Sequence, residues 1–269
     1  MTNIIYLTTR CNLDCDYCYE RSNRLAPGFT HKVVTLEEID NFVTDVCRRD
    51  QGPSSCVVIF GGEPLLRPDL IGELVDRFIA REKTVWFDLV TNGTLLTREL
   101  AETLKGYRET LQKVGSGFDI EVSYDVSGQS RRGYPNGSSS QADVLAGIGA
   151  LRESGLPFSI SYVVTTTNAV SLARDVLYCI LALGAQKVCL RWATQELIQG
   201  GLSAQDIKEK VRPLLQEIHR RYGIPICEEV CGACKKCHKG NEGNTYMIPS
   251  KGVLTQPTFV DTGFTHFLF

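Results

Sequence analysis

The sequence predicts an α/β fold, an open partial barrel of six parallel strands, each followed by a helix, with a small cysteine-rich C-terminal module. Short β-branched runs alternate six times with amphipathic segments, and this alternation stops near Gly223. Repeated strand-to-helix units make right-handed crossovers and therefore a parallel sheet. Six units are too few for a closed eight-stranded barrel. We expect the barrel to span residues 1–222 and the module to span residues 223–269.

The six strands are expected where short runs of β-branched and aromatic residues occur. They are Ile4–Leu7, Val57–Phe60, Val85–Val90, Ile120–Tyr124, Phe158–Thr165 and Lys187–Trp192. Because ligands bind at the C-terminal ends of strands in such folds, the residues that follow each run are the first candidates for a functional site.

The helices between these strands are expected from apolar residues at helical spacing. Thr35 and Glu38 form a capping box before the first of them. Pro213 should kink or split the last helix, which begins after Ser203. The other helices are expected near residues 70–79, 98–105, 141–153 and 170–183.

Composition excludes several classes of function. The chain has 269 residues, 43% of them hydrophobic, and a net charge of −2, which gives no general attraction for nucleic acid or anionic lipid. It has no apolar run of the ~20 residues that a membrane helix needs, and its start does not resemble a signal peptide. We therefore expect a cytoplasmic protein, whose clustered cysteines are candidate metal ligands because that compartment disfavours disulfides.

Three cysteines follow the first predicted strand with the spacing C-x3-C-x2-C: Cys11, Cys15 and Cys18. Three thiolates can hold three irons of a [4Fe–4S] cluster and leave the fourth iron open to an external ligand. A structural zinc ion would need a fourth protein ligand, and none is nearby. The spacing therefore favours an iron–sulfur cluster at the end of this strand.

The cysteine motif, with Tyr17 before its third cysteine, resembles the signature of the radical S-adenosylmethionine superfamily. Gly61-Gly62-Glu63-Pro64 follows the second strand and resembles the GGEP segment of that family. The resemblance covers about Ile4 to Trp192. It implies that a reduced cluster cleaves S-adenosylmethionine to methionine and a 5′-deoxyadenosyl radical, which abstracts a hydrogen atom from the substrate.

The resemblance also implies which residues bind S-adenosylmethionine. The Gly61-Gly62-Glu63-Pro64 segment would receive the methionine ammonium group, with glycine allowing close approach of the ligand. Arg131 or Arg132 would pair with the methionine carboxylate, and their adjacent positions leave both open. Polar residues at the ends of the third and fourth strands would contact methionine and ribose: Asn92, Ser123 and Asp125.

Adenine is expected near the backbone at Tyr17 and near the strand ends at Val164 and Trp192. For Trp192, ordinary packing in the barrel is an equal alternative. Arg191 is the expected catalytic residue. A charged residue in the last strand needs a partner if it faces inward, and a substrate carboxylate or the cofactor would supply one.

Four further cysteines lie close together in the tail: Cys227, Cys231, Cys234 and Cys237. With the run from Tyr246 to Val253 they resemble the start of SPASM and twitch extensions, which bind auxiliary [4Fe–4S] clusters. No cysteine follows Gly252, where those modules place one. The length allows at most one auxiliary cluster, and structural zinc or redox-active thiols are the alternatives.

The resemblance favours modification of a ribosomally made peptide by crosslinking, epimerisation or oxidation. The alternative is radical oxidation or epimerisation of a sugar or aminocyclitol. A non-catalytic iron–sulfur or zinc protein is a third possibility, against which the two intact motifs argue. An electron donor such as flavodoxin or ferredoxin is an expected partner. Because only ten residues precede Cys11, a peptide would be held by the barrel and the tail or delivered by a separate leader-peptide-binding protein.

Overall fold

The computed structural model describes residues 2–18, 20–24, 26–50, 52, 54–193, 200, 204–228 and 244–246. Its strands are β1 (Thr2–Tyr6), β2 (Ser55–Phe60), β3 (Val85–Thr91), β4 (Gly117–Ser123), β5 (Ser159–Val164), β6 (Lys187–Trp192), β7 (Ile226–Glu228) and β8 (Asn244–Tyr246). All pair in parallel, in the order β7-β6-β5-β4-β3-β2-β1-β8. The predicted parallel α/β sheet is confirmed.

Seven α-helices connect the strands within the described ranges. They are α1 (Arg21–Arg24), α2 (Leu36–Arg49), α3 (Pro68–Ala80), α4 (Arg98–Lys113), α5 (Gln141–Glu153), α6 (Leu172–Leu181) and α7 (Ala204–Tyr222). Thr35 caps α2 in the predicted box, because its hydroxyl accepts from the Glu38 amide while the Glu38 carboxylate accepts from Thr35 N. In the part of the chain that the structure describes, no helix is long and apolar enough to cross a membrane.

Two features of the last third differ from the expectations. α7 runs without a break through Pro213, so this proline does not split the helix, and the expected kink stays a prediction. Leu215 and Ile218 of α7 are buried in the core, and such packing outweighs the intrinsic cost of a proline. β7 and β8 lie beyond Gly223 yet extend the same sheet at its two edges. The division of the chain into 1–222 and 223–269 stays a prediction.

Side chains alternate between the two faces of the sheet, which separates apolar from charged residues. In β4, Phe118, Ile120 and Val122 are buried in the hydrophobic core against the helices. Asp119 and Glu121 therefore lie on the other face, which we call the inner face. This alternation decides which strand residues can reach a ligand inside the partial barrel.

Candidate active site

The loop after β1, residues 7–18, carries the three cysteines and is here called the cysteine loop. Cys15 is buried, Cys11 and Cys18 are half-buried, and none forms a disulfide. The Cys11 sulfur accepts hydrogen bonds from the Leu13 amide (3.4 Å) and from Asn92 Nδ2 (3.9 Å). The loop lies at the C-terminal edge of the sheet, as the motif predicts.

The segment after β2 packs directly on the cysteine loop. Gly62 N donates to Thr8 O and Glu63 N donates to Arg10 O, both at 2.8 Å. A Cβ on Gly61 would lie 2.4 Å from Thr8 O, and one on Gly62 would lie 2.1 Å from Arg10 O. The two glycines are therefore required by the backbone of the cysteine loop. Glycine was expected here because a ligand approaches the backbone closely. In the structure, the backbone of the cysteine loop is what lies against these two glycines.

Glu63 is completely buried and its carboxylate accepts three hydrogen bonds. The donors are Leu65 N (3.0 Å), Thr91 Oγ1 (2.6 Å) and Asn92 N (2.7 Å). Burial raises the pKa of Glu63, while these donors oppose the rise. Glu63 thus ties the segment after β2 to the end of β3. Its expected contact with the methionine ammonium group stays a prediction.

A chain of amides joins the end of β3 to the cysteine loop. Asn92 Nδ2 donates to Asn12 Oδ1, and Asn12 Nδ2 donates to Thr94 Oγ1, both at 2.8 Å. Thr94 N returns a bond to Asn92 Oδ1 at 2.9 Å. Asn12 and Thr94 were not among the predicted site residues, although Asn12 lies inside the cysteine motif and Thr94 lies two residues after Asn92.

A buried charged cluster lies where the end of β4 meets the cysteine loop. The Tyr17 hydroxyl donates to Asp125 Oδ2 and accepts from Arg132 Nη1 at 2.9 Å. Arg132 Nη1 lies 3.7 Å from Asp125 Oδ2, and Asp125 Oδ1 accepts from Val163 N at 2.8 Å. The structure therefore brings three predicted site residues, Tyr17, Asp125 and Arg132, into mutual contact.

The pKa values of the groups in this cluster are determined mainly by burial and by the charge of Arg132. Burial raises the pKa of Cys15 to about 11, and the Arg132 guanidinium is the strongest opposing influence. Burial also raises the pKa of Tyr17 and that of Asp125, against the effect of the same guanidinium. Arg132 is thus the buried cation of the site.

Arg131 has different surroundings from its neighbour. Its guanidinium binds both carboxylate oxygens of Asp16 at 2.8 to 2.9 Å and lies 5.4 Å from the centre of the Tyr17 ring. Both candidates for the methionine carboxylate therefore have carboxylate or hydroxyl partners within this chain.

Arg191 lies on the inner face and has the kind of partner that its position requires. Its Nη2 donates to Glu121 Oε1 at 3.0 Å, and Glu121 is buried. Ser123, two residues further along β4, is half-buried on the same face. Glu121 was missed because its strand was expected to begin near it and its partner lies 70 residues away.

Val164 and Trp192 lie at the ends of β5 and β6 with their side chains in the hydrophobic core. They lie on the face opposite to Arg191, because neighbouring residues of a strand point to opposite faces. These two side chains therefore do not line the inner face, and the binding of adenine near these strand ends stays a prediction.

Asp88, on the inner face of β3, predicts an unusual pH dependence of stability. Burial, reinforced by the nearby Glu121 carboxylate and by Asp119, raises the pKa of Asp88 to about 7, although Lys187 and Arg191 oppose the rise. The folded protein keeps this proton between pH ~4 and ~7 while the unfolded chain loses it, so stability falls as pH rises through that window.

Replacement of this carboxyl by an amide should remove that loss. We expect Asp88→Asn to be more stable than wild type above pH ~7, by at most about 4 kcal/mol, and the gain to vanish near pH ~4. Thermal midpoints measured from pH 5 to pH 9 check this. Asp119→Asn is the comparison variant, since it removes the 47% exposed carboxylate opposite Asp88 on β4. It should lower the pKa of Asp88 without abolishing its titration. Equal pH profiles for Asp88→Asn and wild type would contradict the assignment.

The residues of the cysteine loop fit an iron–sulfur cluster better than a single metal ion. Within the described ranges, no three His, Cys, Asp or Glu side chains converge on one ion. A cluster makes no such demand, because each thiolate binds a different iron, and thiolates are its usual ligands. Arg132 Nε is buried beside this loop without a hydrogen-bond partner in the described structure, so positive charge is available for an anionic group. Cys231, Cys234 and Cys237 lie outside the described residues, and Cys227 is described only as backbone in β7.

Known proteins are similar to this chain in sequence and in fold. The family model of the Radical SAM superfamily matches residues 5–173. An uncharacterized protein of Methanocaldococcus jannaschii is 31% identical over 188 residues, which cover 69% of this chain and 60% of that protein. The PqqA peptide cyclase of Gluconobacter oxydans is 32% identical over 193 residues, which cover 70% of this chain and 48% of that enzyme.

The solved structure of native anSMEcpe with bound AdoMet superposes with a TM-score of 0.67 at 18% identity, over 85% of this chain and 64% of that one. This likeness shows a common fold. The chain spans 60% or less of the length of the two curated relatives described above. The family model, in contrast, covers well over half of this chain. The chain belongs to the Radical SAM superfamily of enzymes.

Proposed function

We propose that this protein cleaves S-adenosylmethionine reductively and uses the resulting radical to modify a peptide. The observation that carries the proposal is the cysteine loop, which presents three thiols at the C-terminal edge of a parallel sheet. When bound by Cys11, Cys15 and Cys18, a [4Fe–4S] cluster supplies the electron that breaks the sulfonium bond and releases a 5′-deoxyadenosyl radical.

The chain's own residues hold the reacting groups in place. Gly62 and Glu63 fix the backbone of the cysteine loop, and Asn92 donates to the Cys11 sulfur. These contacts come from separate strands, so the thiols have a defined arrangement on a rigid scaffold. Such positioning is the main contribution a protein makes when a cofactor carries the difficult chemistry.

Arg191 and Glu121 are proposed to orient the substrate on the inner face. Arg191 is half-buried and paired with Glu121, so it could exchange this carboxylate for a substrate carboxylate. The free-energy cost of that exchange is smaller than the cost of burying an arginine that has no partner. A peptide offers carboxylate and backbone groups for such an exchange. The relative from Gluconobacter oxydans, whose name denotes action on the PqqA peptide, also supports a peptide substrate.

The test is formation of 5′-deoxyadenosine by the anaerobically reconstituted protein with S-adenosylmethionine and dithionite. We expect slow formation without substrate and faster formation with the peptide fraction of a cell extract, separated from small molecules by ultrafiltration. Protease treatment of that fraction should abolish the increase. An increase caused only by the protease-resistant small-molecule fraction would favour the sugar or aminocyclitol alternative. No 5′-deoxyadenosine under any condition would contradict radical chemistry altogether.

We also propose that the four tail cysteines hold a second [4Fe–4S] cluster. The composition of this glycine- and lysine-rich segment offers little hydrophobic stabilisation, and a shared metal would stabilise a stretch too polar to fold by itself. A variant with alanine at Cys11, Cys15 and Cys18 should retain about four irons per chain after reconstitution. About one zinc instead would indicate a structural zinc site. A variant that holds neither metal would contradict an auxiliary metal site and leave thiol chemistry.

A further inference from the structure

Arg132 lies next to Cys15 where two backbone hydrogen bonds join the cysteine loop to the segment after β4. Asp14 N donates to Gly133 O at 2.9 Å, and Asp16 N donates to Arg131 O at 3.2 Å. Cys15 lies between the two donors on one segment, and Arg132 lies between the two acceptors on the other. The bonds therefore hold these two residues side by side.

The surroundings of Arg132 keep its charge in place and away from water. The residue is 7% exposed and Cys15 is 9% exposed. The guanidinium is held through Nη1 by the Tyr17 hydroxyl, one residue before Cys18. Its Nε is buried without a hydrogen-bond partner in the described structure. A fixed cation in a dry environment acts more strongly on a neighbouring charge than an exposed cation does.

We propose that Arg132 is a positioning residue that raises the reduction potential of the cluster on the cysteine loop. The inference rests on the proposed function, since it requires that cluster. Reduction adds one electron, supplied by dithionite or a reduced protein donor, and therefore one negative charge to the cluster. A buried guanidinium beside one ligand stabilises the reduced form more than the oxidised form, and fixed charge and burial are among the factors that set cluster potentials.

Asp125 should have the opposite effect on the reduction potential, because it is negatively charged. It therefore provides a second test of the proposal. Its buried carboxylate lies 3.7 Å from Arg132 and shares the Tyr17 hydroxyl with it. Removing the negative charge should therefore favour the reduced cluster. Asp125→Asn keeps the size of the side chain and an oxygen that can accept from Tyr17 or Val163.

Arg131 provides a matched control one residue away. It has the same charge and also contacts the cysteine loop, but its partner Asp16 has a side chain that is 45% exposed. Solvent screens such a pair, and the two charges largely cancel at the distance of the cluster. Arg131→Gln should shift the cluster potential less than Arg132→Gln does.

The experiment is a redox titration of the reconstituted protein, followed by electron paramagnetic resonance. The signal to follow is the one that is absent from the variant with alanine at Cys11, Cys15 and Cys18, which separates this cluster from any second one in every variant. We expect Arg132→Gln to shift the midpoint to more negative values, Asp125→Asn to shift it to more positive values, and Arg132→Lys to stay near wild type. Iron content is measured for each variant.

The outcomes separate this inference from the function on which it rests. A wild-type protein without a cluster sensitive to S-adenosylmethionine would contradict both. A wild-type cluster whose midpoint is the same in Arg132→Gln and Asp125→Asn would overturn the inference alone. If Arg132→Gln binds no iron, the midpoint potentials of Arg132→Lys and Asp125→Asn still test the proposal. A midpoint of Arg132→Lys far below that of wild type would overturn it. A shift to more negative values in Asp125→Asn would also overturn it.

Discussion

Alanine at position 62 will prevent iron binding by the cysteine loop. The added Cβ would lie 2.1 Å from Arg10 O, 2.4 Å from Arg10 C and 2.9 Å from Cys11 N. All three are backbone atoms of Arg10 and of Cys11, a proposed cluster ligand, so no flexible side chain can move aside, and the loop itself must shift. Overpacking of this kind costs roughly 1–3 kcal/mol or more, and the shift displaces Cys11 from its neighbours.

Iron per chain after reconstitution and the thermal midpoint measure this effect. Gly106→Ala is the control, because a Cβ on Gly106 of α4 meets nothing within 4 Å. Alanine within a helix is more favourable than glycine by about 1 kcal/mol, so this variant should bind wild-type iron and unfold at a slightly higher temperature. Wild-type iron on the cysteine loop of Gly62→Ala would show that the loop tolerates displacement.

Replacement of Cys15 by alanine will abolish formation of 5′-deoxyadenosine. Cys15 is the middle of the three thiols and the buried one. Two thiolates remain in its absence, one fewer than the number needed to hold three irons of the cluster and leave the fourth open. The measurement is 5′-deoxyadenosine from S-adenosylmethionine and dithionite, with iron content measured on the same sample.

A buried cysteine outside the loop controls for loss of packing. Cys179 lies in the core on α6 and is as inaccessible as Cys15. Cys179→Ala should lose stability and keep the reaction. Retained 5′-deoxyadenosine formation in Cys15→Ala, at the level of Cys179→Ala, would remove Cys15 from the ligand set.

The elements of the fold could be predicted because their signals are local. The strand run Lys187–Trp192 and the capping box at Thr35 each lie within a few residues, and the structure reproduces both. The unbroken passage of α7 through Pro213 could not be predicted in this way, since burial of Leu215 and Ile218 depends on distant parts of the chain. Nor could β7, because three residues carry too short a pattern.

In the candidate site, too, the local signals could be predicted and the contacts between distant residues could not. The motifs indicate which residues gather at the edge of the sheet, and Cys11, Gly62, Asn92 and Asp125 are all there. They do not indicate which residue binds which, since two of the three donors to Glu63 and the partner of Arg191 come from other strands.

The contacts that hold the cysteine loop also determine when its conformational entropy is lost. The loop is tied to β2 through Gly62, to β3 through Asn92 and to the end of β4 through Tyr17 and Asp125, all by bonds between protein groups. Its ordering is therefore completed when the barrel folds, and insertion of the metal does not have to order the backbone. In a zinc finger, in contrast, metal binding also has to drive the folding of the chain, which lowers the apparent affinity for the metal. The protein without its cluster should therefore keep the arrangement of the cysteine loop, so that reconstitution needs iron and sulfide but no refolding of the chain.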